Sequence, residues 1–105
     1  ERESARIDWS RDATTVTRAV RAYDPRPGAY SSLDGKDVKF FGARVAEDAI
    51  SAFGGEVISI ADDGMVVACG TGAVRLQQVQ PSGQKRMAVG EWLRGRGVSP
   101  GRRYQ

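Results

Sequence analysis

Apolar residues recur along this chain with two different periods. Near the start, Val16, Ala19, Val20 and Tyr23 fall at i, i+3, i+4 and i+7, one stripe of an amphipathic helix. Ser10 stands ahead of the stripe as a suitable N-cap. Asp12 then falls in the first turn, where a negative charge suits the helix dipole. Asp24-Pro25 ends the helix, because the residue before proline is pushed out of the α region. Pro25-Arg26-Pro27-Gly28 follows as a rigid, extended connection. Ahead of the helix, residues 1–9 are charged and aperiodic and read as the end of a linker, although Trp9 is expected to pack somewhere.

From Ala29 onward the period shortens to that of strands. Ala29–Leu33 and Val38–Val45 flank Asp34-Gly35, a strong hairpin signal. Gly42, inside the second run, marks a bulge or a sharp bend. Ala46–Gly55 reads as a loop with a short apolar turn at Ala49, Ile50 and Phe53. Glu56–Ala61 is a strand that turns at Asp62-Asp63-Gly64. Met65–Cys69 is a continuous apolar, buried strand. Gly70-Thr71-Gly72 is the next turn. Ala73–Gln80 alternates, with Val74, Leu76 and Val79 inward; Val79 breaks strict period two and places a bulge near Gln77-Gln78. Pro81-Ser82-Gly83 is a turn. Lys85-Arg86-Met87 leads into a short helix, Val89–Arg94, with Met87, Trp92 and Leu93 as its apolar residues. Gly95 and Gly97 stop it, leaving Val98–Gln105 as a basic tail.

Helix, five to six short strands, helix, with turn signals about every 8–12 residues across the strands, is the pattern of a small barrel or sandwich. The expected fold is mainly β with short flanking helices, an OB-like small β-barrel of five to six strands. The 105 residues suit one domain, taken as 10–105. No apolar run is long enough to cross a bilayer as a helix, and no apolar stretch follows the first residues, so neither a membrane span nor a signal peptide is expected.

Charge sharpens the picture. The chain carries 16 Lys and Arg against 13 Asp and Glu, a net +3. Residues 45–72 hold five acids and no base, whereas residues 81–105 hold six bases and one acid. A basic segment of this kind attracts polyanions, nucleic acid first among them; equally, it can be a solvated surface. The pair Lys85-Arg86 beside a turn could neutralise neighbouring phosphates.

Candidate chemistry is thin. The chain has no histidine, which excludes His-based acid–base and nucleophilic systems and His-containing zinc sites. The lone Cys69 permits no internal disulfide and sits in an apolar run, as a core thiol does. Gly70-x-Gly72 precedes a strand and lacks a third glycine, so it is a turn and not a dinucleotide fingerprint. Asp62-Asp63 beside Gly64 belongs to a solvated hairpin turn. Tyr30, Phe40 and Phe41 are either core residues or stacking platforms for bases, and Phe40 and Phe41 cannot both be exposed.

Several stretches resemble the C-terminal domain of the methionyl-tRNA formyltransferase family. They are Ala5–Ser10, Arg21–Tyr30, the hairpin Leu33-Asp34-Gly35-Lys36 running into Val38-Lys39, and Gly64–Leu76. The most specific is Gln80–Met87, with Trp92-Leu93-Arg94-Gly95 after it. The resemblance implies a non-catalytic OB-like barrel that follows a catalytic formyltransferase domain, absent here, and helps hold initiator methionyl-tRNA for formylation in translation initiation. It implies no cofactor in this chain, with 10-formyltetrahydrofolate bound by the catalytic domain. It also implies that catalytic domain and the tRNA as partners, a monomer, and a cytoplasmic location. The basic positions matching the family pattern are Lys36, Lys39, Lys85, Arg86 and Arg94, with phosphate contact as the implied role. Arg26 stands where the family usually has an aromatic and adds a further base. Asp24 replaces a usual Asn. Ala88 replaces a usual Ser that would cap the last helix. Two alternatives remain. One is the structural C-terminal domain of a sugar or folate formyltransferase, which binds no nucleic acid. The other is a stand-alone OB module for single strands, which requires exposed aromatics on the barrel face and is argued against if Tyr30, Phe40 and Phe41 are all buried.

Overall fold

The computed structural model describes residues 2–33, 35–46, 53–95 and 101–104. A 3₁₀ turn, Arg2–Ala5, precedes helix α1, Ala13–Ala22. Strands β1, Ala29–Leu33, and β2, Lys36–Ala46, follow as a hairpin. Then come β3, Val57–Ala61; β4, Gly64–Ala68; β5, Ala73–Pro81; the two-residue β6, Met87–Ala88; and helix α2, Val89–Arg94. The turn chemistry therefore places β1 to β5 close to where the sequence pattern predicts them, whereas β6 falls on residues read as the lead into the last helix. The short apolar turn read at Ala49 and Ile50 lies outside the described residues.

All strands pair antiparallel in one sheet of order β1-β2-β5-β4-β3, with β6 against β5. β5 is its spine: one edge pairs with β2, and the other is shared between β4 and β6. The mainly β character with short helices stands. The OB-like barrel does not, because the sheet is open. β1 and β3 are its two edges, and among the described residues no ladder joins them. Each edge is instead covered by a terminal segment. Ile7 N–H donates to Tyr30 O of β1 at 2.9 Å, and Val57 N–H of β3 donates to Arg102 O at 2.7 Å. These bonds occupy edge groups that closure would otherwise pair.

The core lies on the face of the sheet covered by α1. Val16 and Val20 of α1 pack with Phe40, Val67, Val74, Leu76 and Val79 of the strands and with Val89 of α2. Trp9 and Tyr104, from the two ends of the chain, meet over Phe40: the Trp9–Phe40 ring centroids are 6.0 Å apart and those of Phe40–Tyr104 are 5.1 Å apart. Trp9 Nε1 donates to Ser31 Oγ at 2.8 Å, so its one polar atom is satisfied inside the core.

Local details differ from the sequence reading. Asp12, not Ser10, caps α1, its side chain accepting from Thr15 N–H at 2.8 Å. Ser10 instead donates through its N–H and hydroxyl to Asp8 Oδ1 in the preceding turn. Ser and Asp offer the same kind of acceptor oxygen, so the choice between them is made by where the chain turns. The connection 24–28 is a run of turns rather than extended, with both prolyl bonds cis, and Gly28 N–H closes it onto Tyr23 O at 2.9 Å. No bulge interrupts β5 at Gln77-Gln78: its register with β2 runs unbroken. The inward positions do change phase there, but on both strands at once, as Gly42 lies across from Gln77 with φ +69°. The register shift of this sheet lies in β3, between Val57 and Ser59.

Candidate functional site

Alternation along β2 sends Val38 and Phe40 into the core and Lys39 and Phe41 to the opposite face. The ladder then sets their neighbours. Lys39 lies between Tyr30 of β1 and Gln80 of β5, and Phe41 lies beside Gln78. This outer face is where four chain segments meet: the 24–28 turns, β2, the end of β5, and the turn that follows it. Gln80 Nε2 donates to Gln84 O at 3.1 Å, and Ser82 N–H donates to Asp37 O at 3.2 Å, which folds that turn over the start of β2.

Two concavities adjoin here. A cavity of about 200 Å³ is lined by Tyr30, Asp37, Lys39, Gln80, Pro81 and the following turn. A wider cleft of about 690 Å³ lies between Pro25, Arg26 and Pro27 on one side and Lys39 and Gln80 on the other. Lys39 and Gln80 belong to both.

The five sequence-predicted basic residues are distributed unequally. Lys39 is half-buried at the junction of the two concavities. Lys85 is exposed in the turn after β5. Lys36 is exposed at the start of β2, on the opposite pleat face from Lys39. Arg86 is committed to its neighbours. Its guanidinium lies 4.1 Å over the Phe41 ring, Nη1 is 3.3 Å from Asp24 Oδ1, and Nε donates to Gln78 Oε1. Asp24 in turn accepts from Gly42 N–H at 3.2 Å, so one carboxylate ties together the bend in β2, the α1–β1 turns and the turn after β5. Arg94 ends α2, and its side chain lies outside the described residues.

The basic tail is also partly committed to the fold. Arg103 Nε donates to Gly54 O at 3.0 Å, with its guanidinium 5.3 Å from the Phe53 ring centroid. Tyr30, Phe40 and Phe41 are 2%, 0% and 1% exposed, so none is a stacking platform, which removes the ground for a stand-alone single-strand binder. Burial pushes the Cys69 thiol up to about 11, which keeps it protonated at neutral pH and no nucleophile. Asp63 makes an exposed pair with Arg75 at 3.6 Å, as a hairpin-turn residue does. Among the described residues no group of three His, Cys, Asp or Glu side chains could hold a metal ion. Gln80 was not singled out in sequence as a site residue. It faces Lys39 only through the pairing of β2 with β5, strands far apart in the chain, and no local pattern reveals that register.

The outer face of this antiparallel sheet brings together Lys39, Arg26 and Gln80, cationic and amide side chains around one cleft. The chain belongs to the family described as formyl transferase, C-terminal domain, whose pattern matches residues 1–97. Among its relatives, the methionyl-tRNA formyltransferase of Magnetococcus marinus is 48% identical over 103 residues, covering 98% of this chain and 32% of that protein. That of Aromatoleum aromaticum is 48% identical over 101 residues, covering 94% and 31%. The chain thus spans about a third of the length of these curated relatives and corresponds to their non-catalytic C-terminal region. In structure it is similar to HypX from Aquifex aeolicus, solved in complex with tetrahydrofolic acid. The TM-score is 0.77 and the identity 30%, over 95% of this chain and 18% of that one.

Proposed function

We propose that this chain is the tRNA-positioning domain of a methionyl-tRNA formyltransferase. It holds initiator methionyl-tRNA while a catalytic domain ahead of residues 1–9 transfers a formyl group from 10-formyltetrahydrofolate to the methionyl amine. The observation that carries this reading is the 48% identity to a methionyl-tRNA formyltransferase along 98% of the chain. In this reading Lys36, Lys39, Lys85, Arg86 and Arg94 supply the positive charge that meets the phosphates. Such contacts fix the register of the RNA without reading its sequence. The domain works in the cytoplasm, beside the translation machinery, as part of a monomer.

The test is made on the full-length formyltransferase that carries this domain. Lys36→Glu with Lys85→Glu reverses two exposed charges. The expected result is a raised KM for methionyl-tRNA at unchanged KM for the formyl donor, the signature of lost binding that is uniform between ground and transition states. An unaltered KM for the tRNA would sink the reading and favour a purely structural domain, as in a sugar or folate formyltransferase.

A further inference from the structure

We propose that Arg44 and Arg75 clasp one phosphate of an RNA, at a separate contact point on the outer face of the sheet that the family pattern does not supply. This rests on the tRNA-positioning reading and adds the course of the RNA, which runs lengthwise along β2 from the Lys39 end. Arg44 of β2 and Arg75 of β5 stand directly opposite each other in the ladder. Arg75 lies between Val74 and Leu76, both core residues, so it points away from the core, and its partner Arg44 points the same way. Like charges directly opposite on neighbouring strands destabilise a sheet. Among the described residues Arg44 is exposed and has no ion pair, and Arg75 meets only Asp63, at 3.6 Å on an exposed turn. An exposed pair of that kind offsets little of the repulsion. An anion between the two guanidiniums removes it, and two planar forks fit the oxygens of a phosphodiester.

The bend at Gly42 gives the pair its place. Lys39 and Phe41 lie on the outer face of β2, and strict alternation would carry Ala43 there and turn Arg44 inward, with Arg75 beside it. The phase change at Gly42 and Gln77 reverses this on both strands. Ala43 is therefore in the core, and Arg44 and Arg75 share a face with Lys39 and Gln80. Five residues of strand put Arg44 about 17 Å from Lys39, too far for the two to share a phosphate. Arg86, held over Phe41, lies between them, so positive charge follows the strand. The Arg75 stem is steadied on Gly64, where an added Cβ would stand 2.7 Å from Arg75 Cγ. Val66, fully buried and opposite Arg75 on β4, is the apolar floor beside it.

The experiment measures, across a range of salt, the affinity of the full-length formyltransferase carrying this domain for folded initiator tRNA. Arg44→Gln with Arg75→Gln keeps part of each stem and removes both charges. This double variant is expected to bind more weakly and to lower the logarithmic salt slope by about 0.7 to 0.9, the share of one phosphate. Each single variant is expected to show most of that loss, since the two side chains act as one clasp. The melting temperature is expected to hold or rise, because a repulsion is relieved. Asp63→Asn frees Arg75 and is expected to strengthen binding; no gain there would overturn the proposal. Single losses that add up to two phosphates would overturn the shared clasp. Unchanged tRNA affinity in the double variant, where Lys36→Glu with Lys85→Glu weakens it, would overturn the proposal and leave the tRNA-positioning reading standing. Unchanged affinity with a lowered melting temperature would instead assign the pair to a carboxylate of the catalytic domain. An unaltered enzyme that binds no tRNA even at low salt would bring down both.

Discussion

Tyr104 carries its hydroxyl into the core, where the ring packs against Phe40 and Trp9 but the oxygen has no hydrogen-bond partner among the described residues. An unsatisfied buried hydroxyl costs about 1–3 kcal/mol, so Tyr104→Phe is expected to be neutral or stabilising in urea unfolding. Tyr104→Ala removes the ring and is expected to cost about 3–5 kcal/mol. A Phe variant as damaged as the Ala variant would mean that the hydroxyl is bonded after all. Burial also raises the Tyr104 hydroxyl pKa, as it does the Cys69 thiol. The Cys69 thiol keeps its proton to about 11 in the folded chain, against 9.0 ordinarily. Its contribution to stability is therefore complete below pH 9 and is lost as pH rises toward 11. Urea midpoints measured on both sides of this window should fall at high pH, and less steeply in Cys69→Ala. A third residue-scale expectation concerns Asp24 and Arg86. A double-mutant cycle of Asp24→Ala and Arg86→Ala should show coupling of about 0.5–1 kcal/mol, as for a partly exposed pair. Strict additivity would mean that the two side chains do not hold each other.

At the scale of elements, strands and turns were legible because each is bounded by its own turn chemistry, such as Gly70-Thr71-Gly72 before β5. The α1 stripe was legible for a similar local reason, although its cap was misplaced by two residues. The phase change near Gln77 was visible as a broken alternation, but its cause was not. That cause is Gly42, on a strand distant in sequence, with a positive φ that L side chains avoid. An added Cβ there would also stand 3.1 Å from Gln77 Cβ. Gly42→Ala is therefore expected to destabilise the chain by about 1–3 kcal/mol. A variant with an unchanged urea midpoint would contradict the assignment of the bend to this residue. The tail shows the opposite limit. Val98–Gln105 reads as charged and aperiodic, and nothing local announces that Tyr104 is 1% exposed or that residues 101–104 pair with β3.

For the whole molecule, composition excluded histidine chemistry, and the Gln80–Met87 stretch pointed to the family, which the comparisons bear out. Closure was misjudged because strand count alone does not say what covers the two edges; here the chain's own ends do. The candidate site was half legible. Lys39 and Lys85 were proposed by matching a pattern, whereas the placing of Gln80 beside Lys39, and of Arg26 across the cleft, depends on long-range register. The central claim is that this face binds tRNA through its phosphates. The most direct measurement is a titration of folded initiator tRNA into the chain at two salt concentrations. The account predicts affinity that drops steeply with salt, each phosphate contact adding about −0.7 to −0.9 to the logarithmic slope. Binding indifferent to salt, or none at low salt, would contradict it.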